Sequence, residues 1–151
     1  MVFYILAGAL LYFFVWPRFA PTNPDKWHVN PETVQKTRKP NQFLVRDGGD
    51  SDSLVFQSSA TELSTRFDEM ARQKPNVTLI AGDPASGWMT YEQRSQKIKY
   101  PDYISVKITD LEDGTAKLSA YSRSRFGRSD LGVNEARMTK WLAALGDPIA
   151  R

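Results

Sequence analysis

The chain has no cysteine and only one histidine, His28, among its 151 residues. Those two shortages exclude structural disulfides, thiolate nucleophiles, cysteine-ligated metals, histidine-based triads and multi-histidine metal centres. Any catalysis would have to rest on carboxylates, Ser, Tyr, Lys or Arg. A strong charge excess is also missing: 20 Lys and Arg against 17 Asp and Glu give +3, too little to make nucleic acid the expected partner. The acidic run of residues 47–53 lacks the carboxylate spacing and closing Glu of a calcium loop, so it reads as a solvated turn. No metal and no cofactor is expected.

Long apolar runs are scarce, with one exception. Residues 2–16 carry no charge and are followed by Pro17 and Arg18. With no basic start and no small-residue exit, the segment does not read as a cleaved signal peptide. Residues 1–20 are therefore expected to form an uncleaved single-pass transmembrane helix, with Tyr12 and Trp16 at the interface, in a cell membrane. The basic residues that follow it favour a cytoplasmic domain, whereas a basic start upstream of Met1 would direct the domain outward; both sides stay open. Residues 21–40 contain Pro21, Pro24, Pro31 and Pro40 and read as a semi-rigid tether. Within it, Trp27 is expected either to pack on the neighbouring domain or to sit at lipid headgroups.

From Asn41 onward the pattern is regular. Ser59 and Glu62 have capping-box spacing, and Leu63, Phe67 and Met70 follow as a helical stripe that Pro75 ends. Residues 77–82 and 88–95 read as strands. Ile104, Val106 and Ile108 alternate with Tyr103, Ser105, Lys107 and Thr109, and the turn at residues 112–114 joins this strand to a return strand ending near Ser124. A last helix, residues 134–145, is closed by Gly146 and Pro148. Consecutive strands without crossover helices imply an antiparallel sheet. The expected fold is an α+β two-layer sandwich of about four to five strands over residues 41–146, with two helices on one face, followed by a tail of residues 147–151.

The other sheet face would then display Tyr103, Tyr121, Arg94 and Arg123. With Arg125 they form the candidate surface for an anionic small molecule or a protein partner. Gly127, Ser129, Asp130, Gly132, Asn134 and Arg137 read as turn, cap and charge network at the start of the last helix. The alternatives are an enzyme acting on an anionic or carbohydrate substrate through Glu92 or Asp130 with Arg stabilisation, or a structural or assembly protein of the envelope.

The run from Tyr121 to Asn134, with Arg137 and residues 141–145 after it, resembles the signature end of the bacterial and plastid family called domain of unknown function 1499. The likeness extends upstream through residues 90–95 and 101–106 and covers roughly residues 41–145. It implies a compact domain often attached to a membrane and brings no established activity. Many members carry a Cys after the Pro-Asn pair, where this chain has Gln42 and Phe43, so a shared role of that Cys does not carry over.

Overall fold

The computed structural model describes residues 8, 12 and 15–149. Strands β1 (Gln42–Val45), β2 (Leu54–Phe56), β3 (Val77–Asp83), β4 (Trp88–Arg94), β5 (Pro101–Asp110) and β6 (Ala116–Ser124) form one antiparallel sheet. Its order is β1-β6-β5-β4-β3, and β2 shares the β6 edge with β1. The described helices are α1 (Pro24–Trp27), α2 (Ala60–Arg72) and α3 (Val133–Ala143); residues 15–19 are also helical.

The β5–β6 hairpin forms as its alternation predicts, with Asp110 opposite Ala116 and Gly114 at positive φ in the turn. Ser59 caps α2 by accepting the Glu62 N–H, while the Glu62 carboxylate turns back to the Ser58 hydroxyl. Leu63 and Phe67 of α2 and Met138 and Trp141 of α3 pack against Tyr91, Ile104, Val106 and Leu118 on one sheet face. Phe67 sits at the centre, its ring 5.9 Å from Tyr91 and 6.0 Å from Trp141.

Two parts of the expected architecture are corrected. The sheet has six strands rather than four to five, because residues 42–45 and 54–56 pair separately with β6 across the turn between them. The protein is mostly this sheet, and its helices are few and short. The expected transmembrane helix, residues 1–20, falls largely outside the described residues, and among those described no helix is long and apolar enough to cross a membrane.

The second sheet face, expected to lie open, is covered. Residues 20–34 run across it as a strap, and Trp27 stacks on Tyr103 with ring centroids 4.0 Å apart and planes 14° from parallel. His28 stacks on Trp88 at 4.0 Å. A Cβ on Gly82 would fall 1.8 Å from the Trp88 carbonyl oxygen and 3.1 Å from the His28 ring, so glycine there keeps the sheet edge clear for that stack. The chain reaches β1 through Gln42, whose side chain donates to the Thr37 carbonyl at 2.8 Å and accepts the Tyr121 hydroxyl. Truncating the strap's main aromatic contact tests this arrangement: Trp27→Ala should cost about 2 kcal/mol in urea unfolding and speed amide exchange in residues 20–34 more than in β5 and β6.

Candidate functional site

The alternation of β4, β5 and β6 brings Arg94, Tyr103, Tyr121 and Arg123 to one face, and Arg125 follows at the end of β6. The structure places all five on the sheet beneath the strap or at its margin. Tyr103 is 0% exposed, Tyr121 2%, Arg123 8% and neighbouring Glu92 9%. Strap carbonyl groups have no strand partner and need donors. Arg94 donates to the carbonyls of Arg18 at 2.7 Å and Ala20 at 3.3 Å, and Arg125 to that of Pro21 at 2.8 Å. Arg123 Nη2 and Ser105 Oγ both donate to the Trp27 carbonyl, at 2.6 and 3.1 Å. Arg46, which no motif or periodicity singles out, donates to the carbonyls of Pro31, Glu32 and Val34.

Arg123 makes no ion pair among the described residues. Its guanidinium lies 4.6 Å from the Tyr121 ring centre and 5.2 Å from that of Trp27, so π faces and carbonyl oxygens replace a carboxylate. Burial holds its pKa below the ordinary arginine value, while Tyr121 and Tyr103 act in the opposite direction. Glu92 pairs with Arg94 at 2.6 Å and accepts the Thr22 hydroxyl beneath the strap.

The predicted turn network also assembles, with Asn134 at its centre. Asn134 is fully buried. It accepts from Ser122 Oγ and Arg137 Nη1, both at 2.7 Å, and donates to the Asn41 carbonyl and the Asp130 carboxylate. It lies inside α3 rather than capping it. Gly132 holds the cap position without a side-chain bond, and Asp130 accepts the Asn134 N–H at 2.8 Å. Burial alone would raise the Asp130 pKa, but hydrogen bonds from Asn134 and Gly132 overcome it and hold the carboxyl below its ordinary value. Arg137 pairs with Asp102 at 2.6 Å, neither Asp130 nor Glu135 being its partner. The Ser129 hydroxyl accepts the Leu131 N–H, and Gly127 turns at φ 86°.

Two clefts border these groups. One of about 470 Å³ is lined by Lys74, Pro75, Gln93, Val133, Arg137 and Trp141, among others. Another, of about 520 Å³, includes Arg46, Lys117, Glu32 and Ser119. In the second, Arg46 is held by strap carbonyls and Lys117 by Glu32 at 2.9 Å, so its cations are already engaged. Among the described residues no group of His, Asp and Glu could hold a metal ion.

The profile of the family described as "Protein of unknown function (DUF1499)" matches residues 28–145. The chain belongs to that family. The DUF1499 match begins at His28, inside the strap, so the family's span takes in residues 28–34 of the covering segment and leaves residues 20–27 before it. No curated protein matches the chain.

What the sequence did not reveal is how charge is sorted. The connections at the end of the sheet where β4 and β6 finish are residues 35–41, 73–76, 95–100 and 125–132. They carry Lys36, Arg38, Lys39, Lys74, Lys97, Lys99, Arg125 and Arg128, with Asp130 as their sole acid; Lys36 is paired with Asp50. The connections at the opposite end, residues 57–59, 84–87 and 111–115, contain no Lys or Arg; Glu112 and Asp113 lie within them, Asp83 and Asp110 adjoin them, and Lys117 follows two residues after the last. The basic end also presents Leu131, 95% exposed at φ 54°, a left-handed conformation that disfavours a leucine.

Two outcomes follow from this geometry. Burial first, then Lys107, lowers the His28 pKa, and its Nδ1 lies 2.9 Å from Thr90 Oγ1. The unfolded chain therefore takes up the proton first: the His28 contribution is complete above the ordinary histidine value of about 6.5 and is lost as pH falls below it. Wild type should lose stability relative to His28→Asn on acidification from pH 7.5 to 5, measured by urea midpoints; parallel curves would contradict this. Separately, Leu131→Asn should keep or raise thermal stability, by about 1 kcal/mol at most, because asparagine tolerates the left-handed backbone.

Proposed function

We propose that this DUF1499 domain is a non-enzymatic binding module that meets an anionic partner with the basic end of its sheet. The observation that carries the reading is the uneven charge of the connections: eight cations and one carboxylate at one end of the sheet, no cation and two carboxylates at the other. A molecule of modest net charge sorted in this way presents a local positive field that an overall +3 conceals. Of the five candidate residues, Arg125 belongs both to this end and to the Arg/Tyr face. It remains half-buried there, with one N–H on the strap. The Arg/Tyr face itself is the weaker surface for an external anion, because its donors already hold strap carbonyls.

An acid–base reaction through Glu92 or Asp130 has less behind it. Glu92 lies beneath Thr22 and against Arg94, and Asp130 accepts several hydrogen bonds that hold the α3 turn. Neither lines the two clefts described. The reading is tested with a photoreactive residue placed at Lys97 or Arg128, and at Glu112 as the opposite-end control, in living cells. Adducts should form from positions 97 and 128 and fall away at raised ionic strength in permeabilised cells. Equal capture from position 112, or none from 97 and 128, would overturn it.

A further inference from the structure

We infer that the basic end docks on the surface of an anionic lipid bilayer, with Leu131 and Ile98 entering its apolar layer. The inference rests on the reading of that end as the partner-binding surface, and names the partner.

Leu131 is exposed by construction. Asp130 accepts the N–H groups of Gly132 and Asn134, and Asn134 is locked to Ser122, Asn41 and Arg137. That buried network fixes a leucine at 95% exposure in a backbone conformation that would suit glycine or asparagine better. Ile98, 50% exposed, lies between Lys97 and Lys99 in the neighbouring loop. Arg128 precedes Leu131 by three residues. Apolar tips set among cations suit an interface where headgroups take the charge and acyl chains take the tips.

An independent observation points the same way. Arg94 ties the Arg18 carbonyl to this end, and the helical residues leading into it expose Trp16 and Phe19. An exposed tryptophan beside a basic surface is suited to the headgroup level of a bilayer. A free inorganic anion would use the cations and leave the apolar tips without a role. A nucleic acid would need stacking rings among the basic loops themselves, where Phe126 lies against Arg125 at 5.1 Å and packs with Tyr100 at 5.8 Å.

The lack of native cysteine allows single-site labelling of the full-length chain. Leu131→Cys, Ile98→Cys and, as the opposite-end control, Glu112→Cys each receive an environment-sensitive fluorophore. They are then mixed with vesicles of phosphatidylglycerol and phosphatidylcholine, or of phosphatidylcholine alone. Labels at 131 and 98 should shift to the blue and be quenched by brominated acyl chains with the anionic vesicles, while the label at 112 stays in water. Combining Lys97→Gln, Lys99→Gln and Arg128→Gln should weaken vesicle affinity on the order of a hundredfold. Leu131→Asn should weaken it about tenfold with thermal stability kept, which separates docking from folding. Inorganic phosphate should compete no better than chloride at equal ionic strength.

The proposal falls if labels at 131 and 98 stay in water on vesicle-bound chain, if phosphatidylcholine binds equally well, or if phosphate displaces the chain specifically. If these vesicle results fail while position 97 captures a protein in cells, the lipid assignment alone is lost. If both experiments fail, the reading of the basic end is lost with it.

Discussion

A main-chain carbonyl laid flat on a sheet face has no neighbouring strand to bond to, and leaving it buried without a donor costs about 1 to 3 kcal/mol. The arrangement of this protein depends on meeting that requirement for the strap. Arg46, Arg94, Arg123 and Arg125 reach across from the sheet and its margins to the carbonyls of residues 18 to 34. A guanidinium is suited to the task because it offers several N–H groups in a rigid plane and stays charged when poorly solvated. Trp27 and His28 add ring stacking between these bonds, so the covering segment is held by directional contacts along much of its length.

Much of the sheet could be read from the sequence because its signals are local. The alternation over residues 103–124 placed the hairpin and assigned Tyr103, Tyr121 and Arg123 to one face. The Ser59 cap started α2 where expected. The strap was not legible for an equally physical reason. A proline-rich segment has neither the 2.0 nor the 3.6 period, so nothing in it announces the surface it will cover. Composition alone makes such a segment look like a spacer, and Trp27, equally open to a place on the domain or at lipid headgroups, was the one sign that it was not.

Residues 123–137 show the same division. Glycines and short polar residues indicate a turn, but which groups bond to one another is set by the fold. Asn134 reads as a helix cap, yet its amide can bridge β1, β6 and α3 only because the fold brings Asn41 and Ser122 beside it. Arg137 found Asp102, thirty-five positions away in sequence, rather than the nearer Asp130. Charge sorting escaped for a related reason: its basic members are scattered over four connections, and only the strand order gathers them.

The strap also sets an order of events in synthesis. Thr22 meets Glu92 and Tyr103, and Trp27 meets Arg123. Residues 18–28 therefore leave the ribosome well before the surface that will hold them exists, and they cannot settle until β6 has emerged and paired with β5. The loop to be closed spans most of the domain, which slows docking far more than it weakens the final contact. The earliest part of the domain to be made is thus among the last to find its place, and until then Tyr103 and Tyr121 stand uncovered on the nascent sheet.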